Sequence, residues 1–187
     1  MTLVAEKKMT ITEFLERDDF EEGYIYELIN GEIMRRTSPH TRHQDISSEL
    51  NALLRNFIKP NQLGKIYPAP TDVYLSDDTD LVVPDLNFVS TKNLHRVQPS
   101  GYILGAPDII VEILSKSTKH IDRGDKKERY EYFEVPEYWI VDPVAQSIEV
   151  YVLQNGKYKL TSFAEEIGTV QSSVLVGFSV EVAEVFN

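Results

Sequence analysis

Cysteine is absent from the 187-residue chain. Neither disulfide bonds nor a thiolate zinc site can therefore hold the fold, and the sequence is compatible with a reducing compartment. The chain also lacks any run that approaches the ~18 uncharged apolar residues of a membrane span. Its first ten residues contain Glu6, Lys7 and Lys8 and no apolar core of signal-peptide length. These absences predict a cytoplasmic protein that is neither secreted nor inserted into a membrane.

Basic residues are also in short supply. Lys and Arg total 19 against 30 Asp and Glu, which gives a formal net charge of −11. Such a balance argues against a protein that coats DNA through one broad basic surface, because phosphate contacts dominate that kind of binding. Residues 91–129 depart from this trend, with eight basic and five acidic residues. A basic stretch near buried acids suits a metal-dependent phosphodiesterase, although an ordinary solvated helix and its loop explain it equally well.

The sequence has no internal repeat, no low-complexity run and no long linker rich in Gly, Ser or Pro. With 42% hydrophobic residues, the chain is long enough for one sizeable core and short for two domains. We therefore predict a single domain over residues 1–187.

The N-terminal part of the chain predicts a short helix and a β-hairpin. Residues 9–20 favour the helix, with a threonine cap at position 10 or 12. Asn30-Gly31 supplies the positive φ angles of a tight turn, so the apolar runs at 24–29 and 32–34 predict the two strands of the hairpin.

An amphipathic helix is predicted next. Ser38-Pro39 is typical of a cap followed by a proline in the first helical position. The apolar residues beyond it recur at helical spacing and are Ile46, Leu50, Leu53, Leu54, Phe57 and Ile58. This pattern indicates a helix that ends near Pro60. His43 lies three residues before the first of these positions and therefore on the buried face.

The C-terminal half predicts a βαβ unit. Residues 109–114 are β-branched and apolar on both faces, as expected for a central strand, and residues 138–141 predict a second buried strand. The segment 117–134 between them predicts a helix, so the two strands are expected to be parallel. Beyond the unit, residues 148–163 predict a second hairpin around an Asn-Gly turn, and residues 177–187 predict a closing helix.

Two acidic residues interrupt apolar strands. Glu112 follows three apolar residues and precedes two, at the expected centre of the sheet, and Asp85 opens a second apolar strand after Val82-Val83-Pro84. A buried ionised carboxylate is costly unless it is paired or bound to a cation. Two acids on adjacent strands form the kind of oxygen site that Mg²⁺ prefers. The alternative, in which each acid pairs with a lysine or caps a turn, is less favoured for two such acids followed by a basic helix.

Further motifs surround these two acids. They are Tyr26-Glu27-Leu28-Ile29-Asn30-Gly31-Glu32, Ser38-Pro39 with His43-Gln44, Pro84-Asp85, the run from Ala106 to Ser115, Asp122-Arg123-Gly124-Asp125-Lys126 with Tyr130, and the run from Val135 to Pro143. Together they resemble the Uma-type putative restriction endonucleases, which belong to the PD-(D/E)xK nuclease superfamily. The resemblance covers nearly the whole chain from the first predicted helix onward.

The resemblance implies an α/β fold of the restriction-endonuclease-like class, with a central mixed β-sheet flanked by helices. It also implies that Asp85 and Glu112 hold a divalent metal ion, Mg²⁺ or Mn²⁺. The superfamily pattern expects a lysine two residues after the second acid, where this chain has Leu114. In Uma-type sequences the lysine function lies on the following helix, which corresponds to Lys126. Chemistry tolerates this displacement if the ammonium group reaches the phosphate, and a helical i,i+4 pair with Asp122 is the other interpretation.

His43, Glu27 and Ser115 are weaker candidates for the site. His43 could orient substrate or assist proton transfer, although a histidine on an apolar face is more often a core residue. Glu27 could be a third, outer carboxylate, and a cross-strand pair within the hairpin explains it equally well. Ser115 could contact phosphate, but a capping or turn role is favoured.

The sequence thus predicts a Mg²⁺-dependent endonuclease that hydrolyses nucleic-acid phosphodiester bonds. Its predicted catalytic residues are Asp85, Glu112, Lys126, His43 and Glu27. The expected partner is nucleic acid, with DNA favoured, no membrane partner is expected, and a homodimer is left open. The alternative is a binding or regulatory module that keeps the nuclease fold without useful catalysis, which the displaced lysine and the acidic composition would fit.

Overall fold

The computed structural model describes residues 8–76 and 78–187. Glu6 and Lys7, which entered the signal-peptide argument, lie outside the described residues. No helix in the described ranges is long and apolar enough to cross a bilayer.

The described chain contains five α-helices, one 3₁₀ helix and thirteen strands. The α-helices are α1 (Ile11–Leu15), α2 (Thr41–Ile58), α3 (Lys119–Arg123), α4 (Asp125–Tyr132) and α5 (Val182–Phe186), and a 3₁₀ helix spans Thr91–Arg96. The strands are β1 (Tyr24–Ile29), β2 (Glu32–Thr37), β3 (Gly64–Pro68), β4 (Val73–Tyr74), β5 (Leu81–Val82), β6 (Leu86–Ser90), β7 (Ile103–Leu104), β8 (Ile109–Ile113), β9 (Glu137–Asp142), β10 (Ser147–Gln154), β11 (Lys157–Glu165), β12 (Thr169–Gln171) and β13 (Ser179–Glu181).

A six-stranded mixed sheet in the order β11-β10-β9-β8-β6-β3 forms the centre of the fold. β8 and β9 are parallel, as the βαβ pattern predicts, and the other neighbouring pairs are antiparallel. The connection between β8 and β9 differs from the single helix predicted over residues 117–134. It consists of α3 and α4, separated at Gly124, whose backbone at φ −110° and ψ −101° leaves the helical region.

The N-terminal hairpin belongs to a second sheet in the order β2-β1-β5-β4-β7. Asn30 and Gly31 have φ angles of 53° and 80°, which confirms the predicted tight turn. The preceding helix α1 is shorter than predicted and ends at Leu15. Its N-terminus is fixed by a capping box in which the hydroxyl of Thr10 accepts the N–H of Glu13, and a carboxylate oxygen of Glu13 accepts the N–H of Thr10.

Helix α2 begins later than predicted. His40, with an extended backbone at φ −74° and ψ 161°, is the residue before the first turn, so Ser38-Pro39 precedes the helix and does not cap it. The predicted apolar stripe is confirmed, because Ile46, Leu50 and Ile58 are buried against the six-stranded sheet.

The two faces of the six-stranded sheet pack against different elements. One face packs on α2 and α5 through Leu86, Phe88, Ile109, Val111 and Ile113. The other face packs on α4 and the second sheet through Val89, Ile110, Tyr138 and Ile140. Since side chains alternate along a strand, Glu112 belongs to the second face.

Candidate functional site

Asp85 and Glu112 lie opposite each other on neighbouring strands. Leu86 on β6 is paired with Val111 on antiparallel β8, so the next step of the register places Asp85 beside Glu112. Both side chains are buried, at 4% and 3% exposure of the residue. Oδ2 of Asp85 accepts a 2.8 Å hydrogen bond from the N–H of Ile113, which fixes this carboxylate to the end of β8. The structure therefore brings together the two acids that the sequence proposed as metal ligands.

Lys126 on α4 reaches these carboxylates. Its Nζ lies 2.8 Å from Oε1 of Glu112 and 2.8 Å from Oε1 of Glu27, and the residue is 2% exposed. The i,i+4 partner Asp122 is farther away, with 3.8 Å between Nζ and Oδ1. The lysine thus faces the buried acids first, and the helical pair is the weaker of the two interactions.

Glu27 joins the cluster from strand β1. Its residue is 3% exposed, and its Oε1 accepts a 2.7 Å hydrogen bond from the N–H of Val83. The residue opposite it in the hairpin is Met34. A diagonal contact to Arg36 on β2, with 3.7 Å from Nε to Oε2, adds the cross-strand pair that was the other interpretation of Glu27. The hairpin therefore contributes both an acid and a cation to the site.

His43 contacts Asp85 from the first turn of α2. Its Nε2 lies 3.1 Å from Oδ2 of Asp85 and 3.1 Å from the carbonyl oxygen of Ile113. Both atoms are acceptors, so this arrangement requires a proton on Nε2. Nδ1 is buried and has no hydrogen-bond partner within residues 8–76 and 78–187. His43 is thus a neighbour of the acid pair and not only a core residue.

Three further residues belong to the cluster, although sequence reasoning did not assign them to it. The hydroxyl of Tyr130 donates a 2.6 Å hydrogen bond to Oε1 of Glu112. Arg36 donates from Nη2 to the carbonyl oxygen of Val83 at 2.7 Å and has Nη1 3.9 Å from Oδ1 of Asp85. Asp122 is 3% exposed beside Lys126. Tyr130 and Asp122 stand in the motif that carried the family resemblance, whereas the hairpin pattern held no signal for Arg36.

The buried acids outnumber the buried cations around them. The acids are Glu27, Asp85, Glu112 and Asp122, and the cations are Arg36 and Lys126. Burial together with the neighbouring carboxylates raises the pKa of Glu112 to about 8, despite the opposing charge of Lys126. Burial also raises the pKa of Asp122. The cluster therefore carries an excess of negative potential that a further cation would relieve.

Asp85 and Lys126 are both held in their charged forms by their neighbours. Burial alone would raise the pKa of Asp85, but the hydrogen bond from His43, the charge of Arg36 and the N–H of Ile113 lower it below its ordinary value. Burial alone would lower the pKa of Lys126, but the surrounding carboxylates raise it, so the side chain stays an ammonium. Lys126 is accordingly an electrostatic group and not a proton acceptor near neutral pH.

The residues present fit a Mg²⁺-type ion. In the described part of the chain, no three His, Cys, Asp or Glu residues converge as metal ligands. Mg²⁺ commonly binds through one or two carboxylates, with water and substrate phosphate completing its coordination. Oδ1 of Asp85 and Oε2 of Glu112 accept no hydrogen bond from the described residues and thus keep free lone pairs. Two carboxylates with free oxygens and an excess of negative charge are the donor set that such an ion requires.

An open cavity gives access to the cluster. Its volume is about 590 Å³, and its wall includes Asp85, Glu112 and Lys126 together with the rim residues Ser38 and Lys116. A cavity of this size accommodates a ligand as large as a nucleotide segment. Ser115 also lines it, but its Oγ accepts the N–H of Thr118 at 3.2 Å, which is the predicted turn role.

A family model described as "Putative restriction endonuclease", Uma2, matches residues 11–183. This match spans most of the chain. The chain belongs to the Uma2 family. A similar solved structure is titled as a putative nuclease belonging to DUF820 from Anabaena variabilis. It is 22% identical, the match covers 95% of this chain and 97% of that chain, and the TM-score is 0.76. The likeness shows that the two chains share a fold, and among curated proteins none matches the sequence.

Proposed function

We propose that this Uma2-family protein is a metal-dependent nuclease that hydrolyses phosphodiester bonds in nucleic acid, with DNA as the favoured substrate. One observation carries the proposal: Asp85 and Glu112 are paired on adjacent strands, and the ammonium of Lys126 lies 2.8 Å from Glu112. Two carboxylates and a cation beside an open cavity are the groups that phosphodiester hydrolysis requires. The family membership and the shared fold support the same reaction class.

The proposed cofactor is Mg²⁺ or Mn²⁺, held by Asp85 and Glu112. When bound, such an ion supplies Lewis-acid stabilisation of the phosphate and lowers the pKa of a water molecule. Two side chains of the protein have further roles in this proposal. Lys126 stabilises the negative charge that develops on the phosphate, because its ammonium is already oriented by Glu27 and Glu112. His43 orients Asp85 through Nε2.

A nuclease assay with matched variants tests the proposal. The substrates are fluorescent duplex DNA, single-stranded DNA and RNA, incubated with Mg²⁺, Mn²⁺ or EDTA. We expect metal-dependent cleavage by the wild type and a loss of at least about a hundredfold in Glu112→Gln. Glu165→Gln, the same chemical change at an exposed position on β11, is the control and should cleave as the wild type does. Metal-independent cleavage, or equal rates in wild type and Glu112→Gln, would refute the proposed site.

A nuclease-fold binding protein is the second candidate. The observation that favours it is the engagement of Lys126, whose Nζ is shared by Glu27 and Glu112 at 2.8 Å each. If metal does not release the ammonium from these acids, the lysine cannot reach a phosphate. Binding of DNA by the wild type without cleavage under any metal condition would support this second function.

A further inference from the structure

A second cavity lies outside the proposed catalytic site. It has a volume of about 460 Å³ and lies between helix α2 and the edge strand β3. Its charged lining residues are Arg55, Lys59 and Lys65, and no acidic residue of the described chain lines it. None of these three cations forms an ion pair with another described residue. In a chain with a net charge of −11, an all-basic cavity is a distinctive feature.

Helix α2 connects this cavity to the proposed catalytic site. Residues four apart form a continuous ridge on a helix. The ridge that starts at His43 continues through Ser47, Asn51, Arg55 and Lys59, contains no acid, and winds around the helix toward its exposed side, because each step of four residues turns by about 40°. With a rise of about 1.5 Å per residue, Arg55 and Lys59 lie roughly 18 and 24 Å from His43 along the helix axis.

Strand β3 forms the other wall of the basic cavity. Like α2, it extends from the region of Asp85 to the basic residues. Pro68, at one end of β3, is paired with Leu86, and the following Ala69 donates its N–H to the carbonyl oxygen of Asp85 at 2.9 Å. Lys65 lies toward the other end of β3. Helix α2 and strand β3 thus each have one end near Asp85 and the other end near the basic residues, and we call the space between them the α2–β3 groove.

We infer that this α2–β3 groove binds the phosphodiester backbone of duplex DNA on one side of the bond to be cleaved. The inference rests on the proposed function. One strand of duplex DNA places a phosphate about every 3.4 Å along the axis, so Arg55 and Lys59 meet phosphates roughly five to seven base pairs from the cleavage position. Asn51 lines the same cavity, and its Nδ2 amino group supplies N–H donors of the kind that contact phosphate oxygens.

DNA binding by charge-matched double variants tests the inference. The probe is a fluorescein-labelled DNA duplex, and affinity is measured in EDTA over a series of salt concentrations. The test variant is Arg55→Ala with Lys59→Ala, at an exposed position in the last turn of α2 and at the exposed residue that directly follows the helix. The control is Lys157→Ala with Lys159→Ala on β11, at the opposite edge of the same sheet, with an equal change in net charge. Melting temperatures check that both variants fold.

We expect the α2 double variant to bind about tenfold more weakly, with the slope of log K against log salt reduced by about two, while the β11 variant binds as the wild type does. If the wild type binds or cleaves DNA and both double variants match it, this inference is overturned and the proposed function stands. If the wild type neither binds nor cleaves nucleic acid, the proposed function fails and this inference fails with it.

Discussion

Nζ of Lys126 lies 2.8 Å from Oε1 of Glu112, although the two residues are 14 positions apart in the chain. The cation therefore comes from helix α4 and not from the strand that carries the acid. Leu114, the strand residue two positions after Glu112, is 5% exposed and packs in the apolar cluster on the same face. This arrangement explains how the chain can lack a strand lysine and still place an ammonium beside the acid.

Replacement of Lys126 tests whether this ammonium serves catalysis. Lys126→Ala should reduce cleavage by at least about a hundredfold, the scale expected for losing one electrostatic stabiliser of a transition state. Lys127→Ala is the control, because this neighbour is turned by about 100° on the helix and lies over the ring of Tyr151. Rates are measured in a single-turnover DNA cleavage assay with melting temperatures recorded in parallel. Equal rates in Lys126→Ala and wild type would remove the lysine from the mechanism.

Returning the cation to the strand is a separate test. Position 114 faces the same side of the sheet as Glu112, since side chains two residues apart on a strand share a face. Leu114→Lys combined with Lys126→Ala should therefore cleave measurably faster than Lys126→Ala alone. The matched comparison is Leu114→Met in the same background, which fills similar space without charge. No difference between the lysine and methionine versions would show that position 114 cannot supply the cation.

Metal binding should be visible as stabilisation. A ligand that binds only the folded state raises the melting temperature by mass action. Mg²⁺ or Mn²⁺ should therefore raise the wild-type value relative to EDTA, and Asp85→Asn should abolish the increase. Asp45→Asn, at an exposed position on α2, is the control and should keep the response. A metal response that persists unchanged in Asp85→Asn would exclude this residue as a ligand.

The raised pKa of Glu112 predicts a pH dependence of stability. Its ordinary pKa is 4.5 and its value in the folded protein is about 8, so between these values the folded state keeps a proton that the unfolded state releases. The contribution of this group to folding is thus present at low pH and is lost as pH rises through the window. Melting curves in EDTA should show a flatter profile between pH 5 and 8 for Glu112→Gln than for wild type. Parallel profiles for both proteins would contradict the assigned pKa.

The hydrogen bond from Tyr130 should affect both the stability of the fold and the pKa of Glu112. Its hydroxyl donates a 2.6 Å hydrogen bond to Oε1 of the buried carboxylate. Tyr130→Phe removes this donor and should destabilise the fold by about 1.5–3 kcal/mol at pH values where Glu112 is ionised, the range for hydrogen bonds to charged groups. It should also shift the pH-dependent part of the stability profile to higher pH, because the ionised carboxylate loses a partner. Chemical denaturation over a pH series measures both effects, and Tyr132→Phe, at a position 70% exposed, should show neither.

Most of the fold could be predicted from the sequence, because helices, turns and strands each have local sequence patterns. Periodicity predicted α2, Asn30-Gly31 predicted the first hairpin, and β-branched runs predicted the central strands, one of which contains the fully buried Trp139. The errors concern element ends, where packing competes with local preference. The helix predicted over residues 117–134 is broken at Gly124, where an added Cβ would lie 2.8 Å from the carbonyl oxygen of His120.

The site was predictable only where an acid interrupted an apolar strand. Asp85 and Glu112 gave that signal, and the family resemblance added Lys126. Arg36 gave no such signal, because its contact to Asp85 arises from the packing of the hairpin against the segment between β5 and β6. Its neighbour Arg35 is an exposed surface residue. The sequence alone therefore does not distinguish the arginine that contacts the acids from the one that faces solvent.

The distribution of the cluster along the chain has a consequence for biosynthesis. Glu27 and Lys126 meet at 2.8 Å but are separated by about half of the sequence, and Asp85 and Glu112 lie between them. Contacts of such long sequence separation form late, because the entropy of closing the intervening loop must be overcome first. A ribosome-bound chain that has not yet emerged as far as α4 therefore cannot assemble the cluster. Any truncated product that stops before α4 should therefore lack the proposed activity.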